Sequence, residues 1–203
     1  MVGGVMDDCM IDLETMGTGP QAAVVALGAV LFDPRAPGDG LGAEFSVNVD
    51  LADHMRHGGH VDGPTVMWWL GRSADARAEL TDRPQHSIFF ALSMLSDFLR
   101  LHGVQRPWGN GADFDLVVLG SAYRHANMPQ PWRYYDQRCY RTLRALHDDV
   151  PLPERTGTHH GALDDARHQA RCAVLLLREQ RLNRVYRERA MLVEPGDVTG
   201  APV

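Results

Sequence analysis

Asp12 and Glu14, in the stretch CMIDLETMGTGP (residues 9–20), set the first chemical problem of this chain. Side chains two apart in an extended strand point the same way, so both carboxylates share one face while Ile11 and Leu13 share the other. Two anions at that spacing repel each other. A proton on one of them, an Arg partner, or a divalent cation at the strand edge would relieve the repulsion. Further acids stand at two later places: Asp115 in WGNGADFD, and Asp165 in HHGALDDARHQA, where histidines precede a helix. Acids from a first strand and from the starts of two later helices can converge at one edge of a mixed sheet. That convergence makes a two-metal site.

The elements that must position these groups follow from the hydrophobic pattern. VVALGAVLF (Val24–Phe32) has the length and apolarity of a buried strand, and AEFSVNVD (residues 43–50) alternates like a third strand. DPRAPGDGLG between them is a turn or loop, and the three strands imply an antiparallel meander. The period then changes. DGPTVMWWLGRS (residues 62–73) carries a helix-start signal, and Ile88, Leu92, Leu95, Phe98 and Leu99 recur at helical spacing over residues 87–101. RPWGN (residues 106–110) is a short fourth strand, and helices are predicted over residues 114–126, over 138–147 and from Ala162 past Leu177. This order predicts an α/β fold, a mixed sheet flanked by helices, with EPGDVTGAPV as a frayed tail.

Composition narrows the classes. The 203 residues suit one domain, and 44% hydrophobic with 23% charged residues is ordinary for a globular chain. No apolar run reaches the ~18 residues of a membrane span, and the acidic start MVGGVMDDCMID is unlike a signal peptide, so a cytoplasmic location is expected. Cys9, Cys139 and Cys172 fit neither a disulfide framework nor a thiolate zinc site. All twenty basic residues are Arg, which excludes a P-loop or a Schiff-base lysine. A net charge of −6 counts against a nucleic-acid partner until two divalent cations bring it close to neutral.

Three segments resemble the three motifs of the DEDDh 3′-to-5′ exonucleases, the RNase H-like superfamily of DNA polymerase proofreading subunits. DLET supplies Asp12, Glu14 and Thr15; NGADFD supplies Asn110, Phe114 and Asp115; HGALDDA supplies His160, Ala162, Asp165 and Ala166. The register starting at His159 puts Gly161 and Asp165 at the two Ala positions and is rejected. HVDGPTVMWW and PWRYYDQRCYRTL further resemble a bacterial and phage branch described as 3′-to-5′ exoribonuclease-like. One departure stands out: Arg138-Cys139-Tyr140-Arg141-Thr142 occupies the place of Arg-Asp-x-Arg-Thr, away from the four metal carboxylates.

The resemblance implies an RNase H-like sheet whose first three strands are antiparallel and later ones parallel. It implies a single exonuclease domain over residues 1–185 and a C-terminal extension, partly disordered, over 186–203. It implies two Mg²⁺ or Mn²⁺ ions held by Asp12, Glu14, Asp115 and Asp165, with Asp12 bridging and His160 as general base. Thr15, Met16, Asn110 and Phe114 would meet the 3′ end of single-stranded RNA or DNA, and a homodimer fits the superfamily. A catalytically silent nucleic-acid-end binding module on the same scaffold is the rival, disfavoured because a binder has no use for His160. An endonuclease is a third reading. A zinc site at His54, His57 and His60 is weighed and disfavoured, because Gly58-Gly59 breaks the helical spacing. Adjacent Trp68 and Trp69 cannot share a helix face, so one is core and the other is free to line a groove. Residues 178–189, with acids among the Arg side chains, read as a solvated helix face.

Overall fold

Strand β1 (Asp8–Thr15) is buried along its whole length because both faces of the sheet are covered. The computed structural model describes residues 6–192. In those residues β1 pairs antiparallel with β2 (Val24–Phe32), and β2 pairs antiparallel with β3 (Leu41–Val49), the expected meander. Strand β5 (Arg106–Gly109) lies parallel on the other side of β1 and carries β6 (Arg138–Cys139), also parallel. The two-residue β4 (Gln85–His86) closes the far edge, giving the order β4-β3-β2-β1-β5-β6. No described helix is long and apolar enough to cross a membrane.

Period-two alternation sorts β1 between two cores. Cys9, Ile11 and Leu13 face α4 (Ile88–Leu101) and α5 (Asp115–His125), where Leu92, Leu95, Leu119 and Tyr123 are fully buried. Met10 faces α7 (Ala162–Leu192), whose Ala166, Ala170 and Ala173 form the apolar contact. Small side chains let this helix lie close to the sheet. The approach is tightest at Gly28, where a Cβ would stand 2.4 Å from the backbone of Ala162 and Leu163. The far half of α7 is tied down as well. Arg178 donates from Nε to Pro34 O (2.9 Å), from Nη1 to Gly38 O (3.0 Å) and from Nη2 to Ala36 O (2.6 Å), so it clasps the β2–β3 loop and is not part of a solvated face.

Most boundaries follow local capping. Asp62 accepts from Thr65 N at the start of α2 (Gly63–Leu70), and Ser87 accepts from Phe90 N at the start of α4. Two short helices have no counterpart among the sequence expectations: α1 (Leu51–Arg56), capped by Asp50, and α3 (Ala74–Thr81), capped by Ser73. The helix expected over 138–147 needs correction. Arg138 and Cys139 pair with Trp108 and Gly109 as β6, and only α6 (Tyr140–Ala145) is helical, with Cys139 Sγ accepting from Thr142 N. The tail expected from residue 194 lies outside the described residues.

Gly28→Ala tests the close approach. Forcing α7 off the sheet is expected to cost about 1–3 kcal/mol in denaturant unfolding, the range for an overpacked contact. A variant as stable as the parent would show that the helix moves freely there.

Candidate active site

The carboxylates come from the ends of elements that meet at one edge of the sheet. Asp12 and Glu14 project from the last half of β1 onto the α7 side, and Asp165 projects from the first turn of α7. One oxygen of each lies within 4.8 Å of the others, although all three side chains are buried. Asp115, the first residue of α5, is 2% exposed and stands to the side of this trio. Its Oδ1 accepts from Leu13 N (3.3 Å) and its Oδ2 from Asn110 N (2.7 Å), so backbone donors fix it.

Desolvation dominates the electrostatics. Burial, then the charges of Asp115, Glu14 and Asp165, hold the Asp12 carboxyl well above the usual carboxylate range. Glu14 is pushed up to about 8 by burial and by Asp165 and Asp115, with the Arg155 guanidinium pulling the other way. Asp115 rises only to about 6, because its backbone hydrogen bonds offset part of the burial. Two neutralising contacts are built in: Gln169 Nε2 donates to Asp12 Oδ1 at 2.6 Å, and Arg155 forms an ion pair with Asp165. All three reliefs open to paired anions are therefore in use or on offer: protonation, an Arg partner, and an oxygen cluster of the size a cation needs. The oxygen-only donor set fits a hard divalent cation such as Mg²⁺ or Mn²⁺. Gln169 Oε1, buried with no hydrogen-bond partner among the described residues, adds a further oxygen beside it.

His160 sits in the tight turn before α7 at φ +67, a left-handed conformation uncommon outside glycine. Its ring stacks on His159 (centroids 3.9 Å apart) and meets Trp68 edge-on at 4.8 Å, and both histidines offer a nitrogen within 4.8 Å of an Asp165 oxygen. Burial and the neighbouring His159 hold the His160 imidazole below its ordinary pKa.

Beside the carboxylates lies a cavity of about 670 Å³, with Glu14, Thr15, Trp68, Trp69 and Phe114 in its walls. Trp69 is core and Trp68 is 40% exposed, the division expected of adjacent tryptophans. The Trp69 indole donates to Thr15 O at 2.9 Å, which lays α2 across the end of β1. Thr15 itself is turned inward, its Oγ1 donating to Gly17 O. Met16 lines a different cavity, of about 490 Å³, with Val25, Val49 and Leu80, and Trp69 forms part of both walls. Asn110 contributes through its backbone, its carbonyl accepting from Arg141. Sequence reasoning missed two neighbours of the cluster, and set a third, His159, aside with the rejected register. Gln169 is one helical turn beyond Asp165 and could have been found from that spacing, whereas nothing local marks Arg155. His54, His57 and His60 make no metal cluster among the described residues; His54 is buried, with Nδ1 accepting from Val24 N.

A mixed sheet with buried acids gathered at one edge and a histidine on the adjoining turn is the arrangement that the resemblance to the DEDDh exonucleases implies. The chain belongs to the family of the 3′-5′ exoribonuclease Rv2179c-like domain, whose model matches residues 7–177, and it is a 3′-5′ exonuclease by that membership. It is 24% identical over 201 residues to the exodeoxyribonuclease of Enterobacteria phage T4, covering 85% of this chain and 88% of that one. Two solved structures share the fold. The nuclease domain of 3′hExo, a DEDDh family member, bound to rAMP, matches at TM-score 0.58 and 16% identity, over 85% of this chain and 92% of that one. A full-length 3′-exonuclease matches at TM-score 0.56 and 16% identity, over 87% and 84%.

The raised pKa values fix the sign of a pH effect in the metal-free protein. A folded carboxyl that holds its proton above the unfolded value contributes stability that is complete at low pH and is lost as pH climbs through the folded value. For Glu14 that loss runs from 4.5 to about 8. The buried histidines oppose it only below their ordinary value, so in chelator the melting temperature is expected to fall between about pH 6.5 and about pH 8. Glu14→Gln should flatten the profile. A melting temperature that rises over this interval would contradict the assignment.

Proposed function

We propose that this chain is a Mg²⁺- or Mn²⁺-dependent exonuclease that removes nucleoside 5′-monophosphates from the 3′ end of single strands. The observation that supports this most directly is the convergence of Asp12, Glu14 and Asp165 beside His160. Asp12, Glu14 and Asp165 would hold the cations, with Asp115 beside them. When bound, two such cations generate a nucleophile from water near neutral pH and stabilise the charge on the phosphate and the leaving 3′ oxygen. His160, neutral in the resting site, accepts the proton of the attacking water at a ring nitrogen. The cavity walled by Trp68, Trp69 and Phe114 receives the terminal nucleoside, where aromatic faces suit any base.

Asp12→Asn keeps an acceptor for Gln169 while removing the group that could ionise to hold a cation. It is expected to abolish hydrolysis of a 5′-labelled single strand in Mn²⁺ and to leave the metal-free protein at least as stable as the parent. Undiminished turnover would refute the assignment. Binding of the strand by the parent with no product would instead favour an end-binding module, and cleavage of a 3′-blocked strand would favour an endonuclease.

His160→Ala is expected to lower kcat by roughly 10²- to 10⁴-fold, the usual contribution of a general base. Because His160 titrates below its ordinary value, the parent's kcat should rise with pH along a limb whose midpoint lies below about 6.5, where a free imidazole is half-titrated. The variant should lack that limb. Parallel time courses on matched RNA and DNA strands decide the sugar, on which the family's description and the phage relative's name differ.

A further inference from the structure

His159 has no role in the proposed reaction, yet its ring lies flat against His160 and its nitrogen shares a neighbourhood with an Asp165 oxygen. The three donors, two imidazoles and one carboxylate, lie within 4.8 Å of one another. Tetrahedral zinc, with bonds of about 2.0–2.2 Å, needs ligands roughly 3.4 Å apart, so the three donors must close by on the order of 1 Å and the stacked rings must turn so that both lone pairs meet at one point. Side-chain rotation of the two histidines, not movement of the turn, has to supply this, because Thr158 N donates to Asp164 and Gly161 N to Thr158 O. Gly157 (φ +85) and Gly161 flank the two histidines, and His159 is exposed to solvent.

We propose that His159, His160 and Asp165 form a second, nitrogen-rich cation site that takes zinc and switches the nuclease off. The two donor sets differ in character: imidazole suits zinc, whereas an all-oxygen cluster suits Mg²⁺ or Mn²⁺. They also overlap. Asp165 belongs to both, so zinc on the histidine pair withdraws a ligand from the oxygen cluster and occupies the lone pair that His160 uses as a base. Arg155, paired with Asp165, has to yield in either case. Zinc binding stands on the geometry alone; inhibition rests also on the function proposed above.

The test uses the full chain and zinc sulfate. Zinc binding is read by competition with a chromophoric chelator in excess Mg²⁺, and hydrolysis of a labelled single strand is followed in Mg²⁺ as zinc is raised. The parent is expected to bind zinc and lose activity in step. His159→Ala, at an exposed position, is expected to retain Mg²⁺-dependent hydrolysis when compared above the His160 limb, where the influence of His159 on that imidazole no longer matters, while its zinc affinity and its half-inhibiting zinc concentration each shift by at least roughly tenfold. Asp12→Asn, inactive, should still bind zinc. Equal zinc affinity and inhibition in the parent and His159→Ala would overturn the proposal by placing zinc on the carboxylates. Zinc binding that depends on His159, in a parent that hydrolyses nothing, would uphold the site and overturn the nuclease mechanism instead.

Discussion

The structure is organised around an unfavourable act: several carboxylates are removed from water and set against one another at the end of a sheet. A lone buried carboxylate costs several kcal/mol unless it is paired or protonated. Each feature of the site answers that cost in part. Burial keeps protons on Asp12 and Glu14, Gln169 donates to Asp12, Arg155 pairs with Asp165, and backbone amides hold Asp115. None of these is a full answer. The residual demand for positive charge is what makes the cluster a receptor for cations, so poor folding electrostatics and good cation chemistry are one property.

Two helices reduce the cost from the same direction. Asp115 opens α5 and Asp165 lies in the first turn of α7, where unpaired amides and the helix dipole favour an anion. Delivering both helix starts to the end of β1 requires a parallel β5 on one side and a close α7 on the other. The close approach in turn requires Gly28 and the alanine stripe. A strand that contributes no ligand therefore governs where a ligand stands.

Much of this was legible in the sequence, for physical reasons that differ by element. Asp12 and Glu14 were readable because period two is dictated by strand geometry and the flanking Ile11 and Leu13 are apolar. Helices α2 and α4 were readable from Asp62 and Ser87, because a capping oxygen is a local requirement. Strand β6 was not, since two residues beside a helix start carry no period and only the edge of β5 makes them a strand. Helices α1 and α3 are too short to show an amphipathic repeat. Within the site, Arg155 reaches Asp165 through a loop fold that no spacing encodes. The placement of Met16 depends on α2 laying Trp69 over the end of β1, a contact between residues 54 apart in sequence.

The clasp at Arg178 fixes the axial position of α7 from its distal part. Asp165 and Arg178 are separated by about 20 Å of helix at 1.5 Å per residue. One end must meet Asp12 and Glu14 while the other meets three loop carbonyls. Inserting or deleting a single residue between them would rotate one end by about 100° relative to the other. The two appointments could then not be kept together. This span therefore behaves as a gauge of fixed length, in which the number of residues matters more than the identity of those that touch neither end.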